Sequence, residues 1–169
     1  MKISGSVIVM RKVVLTRIDD RLIHGQVLSG WIPHVRANSI IIIDDEIAKN
    51  KLMSRVLATS VEDSIKLKVY STNKAVQALA GDPKFPKERI LILTKSPLPI
   101  LELIESGYSI PSINLGGMGM HENRQPYFRN ISCTKDEENA LQQLNEKGVE
   151  IYYQLVPEQA KIDFSSFKK

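Results

Sequence analysis

The stretch Arg17-Ile18-Asp19-Asp20-Arg21-Leu22-Ile23-His24-Gly25-Gln26-Val27 places one imidazole, two guanidiniums and two carboxylates within eight positions. A neutral imidazole is a nucleophile near pH 7, because its ordinary pKa is about 6.5. A helix starting near Gly25 and Gln26 would present unpaired N–H groups and the positive end of its dipole to an anion. Arginine adds planar donors suited to phosphate oxygens. Histidine and arginine at a helix N-terminus therefore suit a phosphoryl group that is accepted, stabilised as a dianion and passed on. Residue types alone leave a plainer reading open, a capping or surface histidine in a solvated salt-bridge loop.

Several elements must position this loop. Val13 to Leu15 is a short apolar run of strand type, and Val27, Leu28, Trp31 and Ile32 recur at helical spacing. The helix spans Gly25 to Val35, with Pro33 forcing a kink or an early end and His34 on the surface. Ser39 to Ile43 contains four consecutive isoleucines, apolar on both faces as a central parallel strand requires. Asp44-Asp45-Glu46 follows and is best read as capping the next helix, Ala48 to Thr59, with Met53, Val56 and Leu57 inward. Asp44 is also placed to orient a residue of the site. Leu67 to Tyr70 reads as a strand, and Ser71 or Thr72 caps a helix buried through Ala75, Val76 and Leu79.

Arg89 to Leu93 is a further strand, with Thr94-Lys95-Ser96 at its carboxyl edge and Pro97 opening a helix that Gly107 ends. Ile113 to Leu115 is followed by Gly116-Gly117-Met118-Gly119-Met120. That turn can offer N–H groups to phosphate, although its glycines match neither the Walker nor the dinucleotide spacing. His121 just beyond it reads as a bystander. Phe128 to Ile131 reads as a short strand, and Thr134 to Glu137 has capping-box spacing for a helix closed by Gly148. Val149 to Leu155 is the final strand.

Strands alternating with helices indicate an α/β fold: one three-layer α/β/α domain with a mainly parallel sheet of six or seven strands, the last able to run antiparallel. The loops at His24, Asp44, Thr94 and Gly116–Gly117 all follow strands and so converge on one sheet edge. The chain is 169 residues long, 43% hydrophobic and 25% charged, with net charge +4, which fits one globular domain. Residues 1–11 read as an N-terminal extension and residues 157–169 as a polar tail. The basic residues are scattered, which argues against nucleic acid. No run approaches the ~20 apolar residues of a membrane span, and one cysteine excludes an intramolecular disulfide. A cytoplasmic protein without metal or cofactor is expected.

The eleven-residue block closely resembles the active-site signature of the enzyme IIB subunits of the mannose/fructose/sorbose family of the bacterial sugar phosphotransferase system. The resemblance continues through Ile40 to Glu46 and Ile113 to Met118, and covers Val13 to Val156. It implies that His24 is phosphorylated from phosphohistidine of a IIA subunit and passes the group to sugar entering through membrane IIC and IID subunits. It also implies that Arg21 stabilises the phosphate. Asp19 or Asp20 would orient the ring or the arginine, and Arg17 would face the partner or the phosphate. Two other readings compete. One is a nucleotide-binding module using Gly116 to Gly119 for phosphate and Asp44 for ribose. The other is phosphorylation of Cys133, since IIB subunits of other sugar families use a cysteine, although theirs lies directly after the first strand. Exposed apolar surface after residue 150 would point to a homodimer.

Overall fold

The structure, a computed structural model, describes residues 11–121 and 123–167. Most of the expected N-terminal extension, residues 1–10, therefore lies outside the described residues, as do residues 168–169. Seven strands form one sheet: β1 (Val13–Asp19), β2 (Ser39–Ile43), β3 (Lys66–Tyr70), β4 (Ile90–Thr94), β5 (Ser112–Gly117), β8 (Glu150–Tyr153) and β9 (Ile162–Asp163). Their order is β3-β2-β4-β1-β5-β8-β9, and all pairs are parallel except β8 with β9. The strand over 149–155, expected to be the last, thus runs parallel, and the antiparallel strand lies in the segment expected to be a polar tail.

The sheet is central because its inner strands are apolar on both sides. Ile41, Ile43, Ile90 and Ile92 join one core cluster, while Ile40, Ile42, Leu91 and Leu93 join the other, as the two-residue strand period dictates. Helices α4 (Thr72–Leu79), α5 (Leu98–Glu105) and α6 (Lys135–Glu146) close the first face through residues such as Ala75, Ile100 and Leu144. The second face is covered by the segment after β1 and by α2 (Asp45–Lys49) and α3 (Lys51–Thr59). The helix expected over 48–59 is broken at Asn50, whose side chain caps α3 by accepting from Met53 N–H. Met53 and Val56, expected inward, are exposed together with Leu52. Only Leu57 of that trio packs on the core.

The strand expected over Phe128 to Ile131 is instead the turn of a hairpin between β6 (Gln125–Phe128) and β7 (Ile131–Cys133), with Arg129 at φ +48°. The hairpin packs on the chain end. Phe164 and Phe167 are buried, and the Phe128 and Phe167 rings stack at 4.1 Å. The residues after 150 therefore contribute to the core of one chain, and among the described residues there no large apolar side chain is exposed, so the condition set for a homodimer is not met. A Phe167→Ala variant should lose about 3 kcal/mol, read as a lower urea midpoint, whereas an unchanged midpoint would show that the chain end carries no packing energy.

Candidate active site

The carboxyl edge of β1 is built by strand periodicity. Leu15, Arg17 and Asp19 share one face of the strand, the face that meets Trp31. After Asp19 the chain turns sharply. Leu22 N–H donates to the Asp19 carbonyl at 2.9 Å, and Leu22 itself lies at φ +56°, a conformation that non-glycine residues rarely adopt. Burial of the Leu22 side chain among Val27, Trp31 and Ile32 holds it there. A π-helical segment, Gln26–Trp31, then runs into the short α1 (Ile32–Val35), which stops at Arg36 in the left-handed region. Pro33 sits in the first turn of α1 instead of interrupting a continuous α-helix.

The turn folds three cationic or basic side chains onto one carboxylate. Asp19 is fully buried. Its Oδ2 accepts from Arg17 Nη2 and Arg21 Nη2, each at 3.0 Å, and lies 3.0 Å from His24 Nε2. Its Oδ1 accepts from Arg21 Nε at 3.0 Å and from Arg21 N–H at 3.2 Å. Burial alone would raise the Asp19 pKa, but Arg21, Arg17 and His24 outweigh it and hold the group below the usual carboxylate range. Because the carboxylate has no proton, it can only accept, so the Nε2 contact makes Nε2 the protonated nitrogen of a neutral ring. Nδ1 is then left with the lone pair. Burial, opposed by Asp19 and reinforced by Arg21 and Arg17, lowers the His24 pKa from its ordinary 6.5 and favours that neutral state.

Arg21 is the outward donor. Its side chain is 47% exposed against 16% for His24. It also donates to Gln26 Oε1 at 3.0 Å, so a residue of the helical segment aligns the guanidinium.

Arg17 was expected to face a partner or the phosphate, and the structure corrects this: its side chain is fully buried. It donates to Asn114 Oδ1, to the Gln154 carbonyl at 3.0 Å and to the Leu155 carbonyl at 3.2 Å, and it lies over the Trp31 ring. Its work is internal, as the buried counter-ion that fixes Asp19. Asp20 does not orient the ring or Arg21 by contact either. Its Oδ2 accepts from Gly119 N–H at 2.7 Å and from Arg124 Nη1 at 3.0 Å.

Of the neighbouring segments, the glycine pair reaches the site, and Gly116 and Gly117, expected in a turn, are the last two residues of β5. A Cβ added at Gly116 would overlap the Arg17 guanidinium, and one at Gly117 would lie 3.5 Å from Asp19 Oδ1. Those glycines permit close approach of β5 to β1, and Asn130 Nδ2 braces the end of β5 by donating to the Gly116 carbonyl at 3.0 Å. Asp44 instead caps α2 by accepting from Ile47 N–H at 2.8 Å, and pairs with Lys95 Nζ at 3.6 Å. The Thr94 hydroxyl donates to the Ser96 carbonyl. Neither residue contacts His24. A concavity of about 570 Å³ bounded by Asp45, Tyr70, Thr72 and Lys74 lies elsewhere and shares no residue with the loop.

Four residues of the site went unremarked in the sequence: Asn114, Arg124, Asn130 and Gln154. Asn114 carried a usable signal, a lone amide between Ile113 and Leu115 in an otherwise apolar strand. Gln154, between Tyr153 and Leu155, carries the same signal, whereas Arg124 and Asn130 lie in polar segments that look like ordinary surface.

Cys133 is buried in β7 beside the N-terminus of α6, and burial, with Glu137 adding to it, pushes its thiol up to about 12. No helix among the described residues is long and apolar enough to cross a membrane.

Residues 13–169 match the family described as PTS system sorbose subfamily IIB component. The fructose-specific EIIB component of Bacillus subtilis is 32% identical over 155 residues, covering 92% of this chain and 94% of that protein. The mannose-specific EIIAB component of Escherichia coli K12 is 30% identical over 148 residues, covering 88% of this chain but 46% of that protein. The crystal structure of the sorbose permease IIB domain from Klebsiella pneumoniae superposes with a TM-score of 0.84 at 28% identity, covering 92% of this chain and 95% of that one. The function read from the sequence is corrected to a coarser one. These likenesses carry a phosphoryl-carrier role, but not the route from a phosphohistidine through His24 to sugar, since no description among them assigns a residue and the single cysteine stands as a rival acceptor. On the match over 13–169 and these relatives, the chain belongs to the phosphotransferase-system IIB components of the sorbose subfamily, and its role is to carry phosphoryl groups.

Proposed function

We propose that the Asp19–Gln26 loop is the transfer site of this carrier, with His24 Nδ1 as the accepting atom and Arg21 as the donor to the phosphoryl oxygens. The observation behind this reading is the sharing of one buried carboxylate by the ring and a half-exposed guanidinium. The Nδ1 lone pair attacks phosphorus of a phosphorylated IIA partner in line; a P–N bond forms, and the bond to the donor breaks with its electron pair leaving on the donor. No proton has to move, because Nε2–H stays on Asp19, which compensates the positive charge spread over the ring. Onward transfer reverses the step toward an acceptor held by membrane IIC and IID subunits. A IIA partner agrees with the EIIAB relatives, which carry A and B in one protein. A half-exposed guanidinium beside the ring suits a phosphoryl group presented by a visiting protein, and the glycines of 116–119 match no nucleotide-binding spacing, which favours a carrier over a nucleotide-binding module.

Cys133 is the weaker acceptor on physical grounds, since a thiol is nucleophilic as thiolate and this one is held protonated by its burial. The test is label transfer from phosphoenolpyruvate through enzyme I, HPr and IIA. Acid-labile, alkali-stable label should appear on the protein, vanish in His24→Ala and persist in Cys133→Ser. Label kept in His24→Ala and lost in Cys133→Ser overturns the assignment.

Arg21→Ala should leave the fold intact and slow acceptance at least tenfold, since a charged contact to phosphate contributes roughly 1.5–3 kcal/mol. Rapid-quench rates near wild type would remove Arg21 from this role. The pH profile follows from the His24 shift. Because the folded pKa lies below 6.5, the decline of acceptance with falling pH should have its midpoint below that value. A decline centred above 6.5 would contradict a ring held neutral.

A further inference from the structure

The loop carries two adjacent carboxylates, and only Asp19 is neutralised from within it. We infer that Arg124 is a positioning residue for transfer, holding the Asp20 carboxylate on the glycine turn so that Arg21 stays available to the phosphoryl group. The inference rests on the transfer site proposed above.

Arg124 lies at the start of the β6–β7 hairpin, 104 residues from Asp20, and its side chain is 3% exposed. Every N–H of its guanidinium can be traced to an acceptor. Nη1 donates to Asp20 Oδ2 at 3.0 Å and to the Gly119 carbonyl at 3.1 Å. Nη2 donates to Glu137 Oε1 at 2.7 Å and to the Lys95 carbonyl at 3.3 Å, and Nε to Glu137 Oε2 at 2.9 Å. Glu137 is in turn fixed by the α6 capping box, accepting from Thr134 N–H and donating its own N–H to Thr134 Oγ1. One buried guanidinium thus ties the loops after β1, β4 and β5 to the first turn of α6.

Asp20 needs such a tie. It sits between Asp19 and Arg21 in sequence, its side chain is 25% exposed, and its charge is felt at Arg21. Released from Arg124, the carboxylate keeps only the Gly119 N–H and can swing toward Arg21, where it would compete with the phosphoryl oxygens and repel an incoming dianion. With Arg124 present, each acid has a buried cation beside it, Arg17 for Asp19 and, shared with Glu137, Arg124 for Asp20, and of these three guanidiniums only Arg21 remains directed at solvent.

The test removes the buried pair together, so that no lone charge is stranded. Glutamine at 137 can still close the capping box. Single-turnover acceptance from phosphorylated IIA is measured for wild type, Asp20→Asn, Arg124→Gln/Glu137→Gln, and the triple variant that adds Asp20→Asn. The double variant should be about tenfold slower at saturating donor with KM within about twofold, and the triple should return to within about threefold of wild type. Recovery on deleting a carboxylate is not expected if Arg124 only supports the fold. A folded double variant at the wild-type rate, or a triple no faster than the double, overturns the inference. Should the double variant not fold, Arg124→Lys with and without Asp20→Asn makes the same comparison, because lysine keeps a charge beside Glu137 but cannot span to Asp20. Failure of wild type to accept any phosphoryl group would sink the transfer site itself, whereas normal wild-type acceptance without recovery sinks only the role of Arg124.

Discussion

An Asp19→Asn variant should lose about 3–5 kcal/mol of stability and accept phosphoryl groups more slowly by on the order of a hundredfold. The stability term follows from Arg17, which is fully buried and has Asp19 as its charged partner. Without that charge the guanidinium stays desolvated against carbonyls and amides alone. The kinetic term has a separate origin. Asparagine can turn its NH2 toward Nε2 and so favour the tautomer with the proton on Nδ1, which blocks attack, and it also ceases to hold Arg21 on both oxygens. Urea unfolding and rapid-quench transfer read the two effects independently. The pH dependence supplies a sign to check. Asp19 has a folded pKa below its ordinary 3.8, so its contribution is complete above that value and lost as pH falls through the folded pKa. That acid-side loss should be missing from Asp19→Asn. A variant of unchanged stability and unchanged acid response would mean that Asp19 does not anchor the site.

A Gly116→Ala variant should be destabilised by about 3 kcal/mol or more, because the new methyl would overlap the Arg17 guanidinium. Either β5 separates from β1 or Arg17 leaves its acceptors on Asn114, Gln154 and Leu155, and both outcomes release Asp19. Gly117→Ala is the internal control. Its methyl would rest at ordinary contact distance from Asp19 Oδ1, so the loss should stay below about 1 kcal/mol. Equal thermal midpoints for the two variants would remove the steric argument for the glycine pair.

The layered α/β fold was legible in the sequence because it is written in short-range pattern. The isoleucines of β2 can be buried on both faces only in a central strand, and Thr134 with Glu137 announces α6 through local capping chemistry. Helix α3 was misread because Leu52, Met53 and Val56 carry helical spacing while facing solvent, so periodicity reported a face but not what lies against it. The hairpin was displaced by a few residues because the left-handed position of its turn is filled by Arg129, which leaves Asn130 as a lone turn residue between the apolar Phe128 and Ile131. The loop itself could be recognised as reactive from its residue types. Which charges point inward could not, because that depends on partners about a hundred positions away: Asn114 and Gln154 draw Arg17 into the interior, and Arg124 draws Asp20 from Arg21.

The most direct measurement locates the phosphoryl group on the intact protein. In protein carrying 15N-labelled histidine and phosphorylated through IIA, 31P–15N coupling should appear at Nδ1 of His24, with Nε2 still protonated against Asp19. Coupling at Nε2, or an uncoupled 31P signal that disappears in Cys133→Ser, would contradict a site in which the buried carboxylate chooses the attacking nitrogen.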